Sequence, residues 1–65
     1  MKQEELVQSV DRALGIVEVL STGQKGLQEI SNLVKLNKST VHRLLQTLIF
    51  KGFVSQDQES MRYGL

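Results

Sequence analysis

Three residues, Lys35, Leu36 and Asn37, are all that separates two stretches whose apolar side chains recur with the period of an α-helix. A spacer that short cannot wander as a free loop, so the second helix must leave the first at a steep angle, as in an αα turn. The upstream stretch runs from about Gln28 to Val34, with Glu29 in its first turn and Ile30, Leu33 and Val34 expected to face inward. The downstream one has both ends marked. Asn37 is a good N-cap, Val41, Leu44, Leu45 and Leu48 make one apolar stripe, and Gly52 is placed to stop the helix in the left-handed conformation.

An earlier helix is expected from Val10, Ala13, Leu14, Val17 and Leu20, which follow the i, i+3, i+4, i+7 spacing. Ser9 is its expected cap, Asp11 suits its first turn, and Ser21, Thr22 and Gly23 end it. Gly15, on its polar face, costs roughly 0.5–1 kcal/mol relative to alanine. It is either tolerated or marks a close contact with another helix. Gln24 to Leu27 reads as a turn or brief strand. Phe53 to Gln56 and Met61 to Leu65 read as two short strands around the polar turn Asp57 to Ser60. An isolated hairpin is marginal in water, so this one must lie against the helices or pair with the segment near Leu27. The expected architecture is mainly α with a small β-hairpin, a winged helix-turn-helix of three helices plus a two- or three-stranded wing. A chain of 65 residues has room for one such domain, spanning 1–65.

Composition removes several function classes. There is no cysteine and one histidine, so disulfides and thiolate metal sites are excluded, and no metal or other cofactor is implied. No nucleophile, base and orienting group can be assembled from what remains, which argues against an enzyme. No apolar run approaches the ~20 residues of a membrane span, and the amino end MKQEELVQS is too polar for a secretion signal. A soluble, cytoplasmic protein with no membrane partner is expected.

The overall charge of +1 hides an uneven distribution. Residues 1–34 carry Lys2, Arg12 and Lys25 against Glu4, Glu5, Asp11, Glu18 and Glu29, a net −2. Residues 35–52 carry Lys35, Lys38, Arg43 and Lys51 with no acid, a net +4. From Phe53 onward Arg62 meets Asp57 and Glu59, a net −1. A basic segment inside an otherwise acidic domain attracts a polyanion, although a solvated helix face has the same composition.

At 100° per residue the stripe from Val41 to Leu48 turns Ser39, Arg43 and Gln46 away from the core, with His42 on one flank and Thr40 and Thr47 on the other. Arginine pairs with guanine O6 and N7, glutamine with adenine N6 and N7, and serine or threonine with a base or a phosphate. Lys38 stands in the first turn, where a carboxylate would suit the helix dipole better. That arrangement favours an external anion such as a DNA phosphate. The competing reading is a winged helix that uses the same face to dock an acidic protein.

The stretches VQSVDRALGIVEVL, KSTVHRLLQTL and KGFV followed by RYGL closely resemble the amino-terminal DNA-binding domain of the IclR family of bacterial transcriptional regulators. The resemblance covers residues 7–65, and Lys38 to Leu45 is its most specific part. It implies a recognition helix over about 38–51 in the major groove of double-stranded DNA, with Ser39, Thr40, His42 and Arg43 in or beside the groove and Lys38 on the backbone. It further implies a homodimer on a near-palindromic operator, paired through Val10, Leu14 and Val17 of the first helix. A small-molecule effector acts, in that family, through a separate carboxyl-terminal domain that is absent here, so the chain resembles an excised domain. The hairpin tip carries Asp57 and Glu59, which leaves wing contact with DNA to Arg62 or to backbone groups. Phe50, on the same side as Arg43, is expected to pack against the hairpin.

Overall fold

The computed structural model describes residues 5–65, so Lys2 and Glu4 of the acidic amino-terminal stretch lie outside the described residues. Three helices, α1 (Gln8–Leu20), α2 (Leu27–Val34) and α3 (Lys38–Phe50), precede two short strands, β1 (Ser55–Gln56) and β2 (Tyr63–Gly64). Each helix packs against the other two. The core they enclose consists of Ile16, Leu20, Ile30, Val41, Leu45, Leu48, Val54 and Tyr63. Full burial of one of the seven aliphatic side chains contributes about 1.5–3 kcal/mol, so this core dominates the stability of a domain this small.

Helix α1 begins one residue before its expected cap. Val7 occupies the N-cap and offers no side-chain acceptor, so Ser9 lies inside the first turn and caps nothing. The buried stripe is also rotated from the expected one. Ile16 and Leu20 are buried, and Ala13 and Val17 pack against them, whereas Val10 and Leu14 remain 54% and 56% exposed. The helix is apolar over a wider arc than its core contact needs, and Ile16 outcompetes Val10 and Leu14 for the interior. Among the described residues Gly15 makes no close contact with another element: a Cβ built there meets no atom within 4 Å outside its own turn of helix.

Helix α2 starts at Leu27, where the Glu29 carboxylate accepts the Gly26 N–H at 3.3 Å. Ile30 is buried and Val34 packs against the core, but Leu33, expected inside, is 54% exposed. Its place is taken by Leu36, because Lys35 adopts a left-handed conformation (φ 59°) that reverses the chain before the helix phase can continue. Buried Ser31 secures this turn. Its carbonyl accepts the N–H of Lys35 at 2.9 Å and of Leu36 at 3.3 Å, and its hydroxyl donates to the Leu36 carbonyl.

Helix α3 follows the sequence closely. The Asn37 side chain accepts the Thr40 N–H at 2.8 Å, as an N-cap should. At the other end Gly52 has φ 85°. Its N–H donates to the Ile49 carbonyl at 3.0 Å, and the Phe53 N–H donates to the Leu48 carbonyl at 2.9 Å. That pair of bonds is a Schellman motif, and it needs a residue that tolerates positive φ.

The strands pair antiparallel, Ser55 opposite Gly64 and Gln56 opposite Tyr63. Tyr63 also exchanges two backbone hydrogen bonds with Lys25, at 3.0 and 2.8 Å, which supplies the expected contact with the segment before α2. Phe50 does not pack against this hairpin. It is 83% exposed, with the Lys51 ammonium 5.8 Å from its ring centroid, because the left-handed turn at Gly52 sends the chain back toward Lys25 and away from the outer face of α3. Among the described residues no helix is long and apolar enough to cross a membrane.

Candidate nucleic-acid interface

Anchored inward by Val41, Leu45 and Leu48, α3 holds Ser39, Arg43 and Gln46 in solvent along its opposite side. His42 is exposed beside them, its ring Nε2 3.4 Å from the Gln46 amide nitrogen one turn on. Thr40 is half-buried toward α1, and the Thr47 hydroxyl donates to the Arg43 carbonyl at 3.2 Å. The Ser39 hydroxyl donates to the Asn37 side chain at 2.9 Å, which keeps it at the helix mouth. The structure therefore gathers Lys38, Ser39, Thr40, His42, Arg43 and Gln46 along one rigid element.

The start of α3 is electrostatically unfinished. Its first turn contains no acid. Asn37 accepts the N–H groups of Thr40 and Val41, through its side chain and its carbonyl, whereas those of Lys38 and Ser39 have no acceptor among the described residues. With exposed Lys38 in the same turn, these donors form a mouth suited to an oxyanion. The only ion pair among the described residues lies elsewhere, so Lys38 and Arg43 are not neutralised from within.

Arg62 is the member of that ion pair. Its guanidinium donates to the Gln24 carbonyl at 2.9 Å and to the Glu29 carboxylate at 3.3 Å, tying the hairpin to the start of α2. It is not brought into the row on α3. The hairpin tip is anionic. Hydrogen bonds from Ser60 to the Asp57 carboxylate, one of them from the backbone N–H at 3.1 Å, hold its pKa below the ordinary 3.8.

Of the residues expected to pair two domains, Val10 and Leu14 stand in solvent and continue into exposed Leu6 and Val7, whereas Val17 is half-buried against the core. Arg12 is a residue that sequence reasoning passed over. It lines a cleft between α1 and α3 together with Gln8, Ser9, Thr40, Arg43 and Thr47. The available signal was that Arg12 is the one basic residue in a helix otherwise holding Asp11 and Glu18.

Residues 9–58 match the family model of the IclR helix-turn-helix domain. Over 65 residues the chain is 42% identical to the HTH-type transcriptional regulator KdgR of Escherichia coli, covering 98% of this chain and 25% of that protein. It is 41% identical over 61 residues to the glycerol operon regulatory protein of Streptomyces coelicolor, covering 91% of this chain and 24% of that one. The crystal structure of an IclR transcriptional regulator from Alicyclobacillus acidocaldarius superposes with a TM-score of 0.88 at 40% identity, covering 92% of this chain and 25% of that chain. An IclR family regulator from Brucella abortus gives 0.87 at 32% identity, over 97% of this chain and 25% of that chain. The chain thus spans about a quarter of the length of the relatives it matches.

Proposed function

Because this chain belongs to the IclR family of helix-turn-helix transcriptional regulators, we propose that it binds duplex DNA sequence-specifically by inserting α3 into the major groove. The observation that carries this reading is the outer face of α3: Ser39, Arg43 and Gln46 exposed on a helix with no acid in its first turn. Arg43 and Gln46 read base edges, and Ser39, Thr40 and His42 stand in or beside the groove. Lys38, with the free N–H groups of the first turn, holds a phosphate. Arg62 engages Gln24 and Glu29 through one guanidinium nitrogen and, half exposed, meets DNA through its remaining donors.

The domain acts as a homodimer in the bacterial cytoplasm. The exposed apolar side of α1 around Val10 and Leu14 supports pairing there, and two half-sites then lie about 34 Å apart, one helical turn, or a multiple of it. An effector, in this reading, acts through a separate domain of a longer regulator.

Binding of a labelled random-sequence duplex across a salt series, followed by a base-substitution series on a selected site, tests the proposal. Arg43→Ala costs about 1–3 kcal/mol and relaxes preference at one position. Lys38→Glu lowers affinity evenly across sequences, while the helix itself gains a few tenths to ~1 kcal/mol from the better dipole match. Salt-independent binding, or identical base profiles for the two variants, refutes the assignment and favours docking of an acidic protein on this face.

A further inference from the structure

We propose that α1 carries a DNA phosphate site of its own, in which Arg12, flanked by Gln8 and Ser9, grips the backbone strand bordering the groove that α3 enters. The inference rests on the reading of α3 given above and adds a contact from a second helix.

The site is the cleft between the two helices, formed by Gln8, Ser9 and Arg12 on one wall and Thr40, Arg43 and Thr47 on the other. Its volume of about 270 Å³ far exceeds the ~30 Å³ occupied by one water. Gln8 and Arg12 are four residues apart on α1 and so share a face. Two arginines and no acidic residue line this cleft. The acids at the start of α1 lie elsewhere: Glu5 and Asp11 border a different cleft, with the exposed apolar residues Val10 and Leu14. Arg12 thus lines the cleft between α1 and α3, and the neighbouring Asp11 does not. Neither Arg12 nor Arg43 has an ion-pair partner among the described residues.

Geometry distinguishes the roles of the two arginines. An α-helix with its side chains is about 10–12 Å across and the major groove is about 12 Å wide, so a helix in the groove fills it. Whatever stands beside that helix faces the groove wall, which is sugar and phosphate. Arg43 lies on the helix itself, in line with Ser39 and Gln46. Arg12 reaches in from α1 at the flank, where its planar guanidinium matches the paired oxygens of a phosphodiester. The Gln8 amide and the Ser9 and Thr40 hydroxyls supply further donors.

Arg12→Gln and Arg12→Lys in the 65-residue chain, titrated with a random duplex and with a preferred site between 50 and 200 mM salt, test the site. For Arg12→Gln the affinity falls by the same factor on every sequence, and the slope of log affinity against log salt shrinks by about 0.9, one phosphate contact. The affinity ratio between the two salt concentrations then narrows about 3.5-fold. Arg12→Lys restores the slope, and the thermal midpoint of both variants stays at the wild-type value. An unchanged slope for Arg12→Gln, a loss confined to particular base positions, or a lowered midpoint without rescue by lysine overturns the proposal. If Arg12→Gln is silent while Arg43→Ala and Lys38→Glu weaken binding, only this site falls. If all three are silent, the role of α3 falls with it.

Discussion

Adding one methyl group at Gly52 and the same methyl group at Gly15 isolates what the end of α3 demands of its backbone. A Cβ built at either glycine meets no atom within 4 Å, so packing contributes nothing to either substitution. Gly52 has φ 85° and closes the Schellman motif through its bond to Ile49. An L-residue held in the left-handed region costs about 1–2 kcal/mol, and alanine recovers about 0.4–1 kcal/mol by stiffening the unfolded chain. Gly52→Ala therefore destabilises by ~1 kcal/mol. Gly15 sits in the middle of α1, where alanine is favoured by about 0.8–1.0 kcal/mol, so Gly15→Ala stabilises by a similar amount. A domain of this size shifts its melting temperature by roughly 4–8 °C per kcal/mol, which places the two variants about 8–16 °C apart on either side of wild type. Thermal unfolding followed by circular dichroism, at a concentration low enough to keep the chain monomeric, measures the difference directly. Equal shifts, or a Gly52→Ala variant as stable as wild type, refute the assignment of the helix stop to left-handed geometry.

Two further outcomes follow from exposed groups. Leu14→Asp places a charge on the apolar side of α1 that is proposed to join two copies; sedimentation then reports a monomer with an unchanged melting temperature, and persistence of a dimer rules that side out. The Asp57 pKa is depressed in the folded chain, so its contribution is complete above 3.8 and is lost as pH falls through the lower folded value. The Ser60 amide resonance moves in that acid window and stays still in Asp57→Asn; a Ser60 amide that ignores acid contradicts the bond.

Legibility varied along the chain for physical reasons. Helix α3 was readable because cap, stripe and stop agree: Asn37 accepts from Thr40, Val41, Leu45 and Leu48 are buried, and Gly52 turns left-handed. Helix α1 was located but set at the wrong rotation, since Val10, Leu14, Ile16 and Val17 cover more of its circumference than one core contact consumes. Periodicity does not say which apolar arc faces inward when two are present. Leu33 was misplaced because the left-handed Lys35 is invisible in composition: a lysine gives no hint of positive φ, and the Ser31 bonds that support it are formed across the turn. Phe50 was misassigned for lack of the hairpin's direction, which the Tyr63 bridge to Lys25 sets. On the candidate interface, residues along one helix were legible because a single element orders them. Arg12 was not, because its meaning depends on which helix lies across from it.

That bridge also orders events in time. Tyr63 is buried against the core and hydrogen-bonded to a residue 38 positions earlier, so closing this part of the interior requires a long loop. Contacts of α2 with α1 and with α3 form at shorter separation and lower entropic cost, and nucleation belongs to them. During synthesis from the amino end, the three helices leave the ribosome before the tyrosine that seals them. Until it arrives the nascent chain exposes an open seam, and the interval between the two is when it is most vulnerable to misassociation.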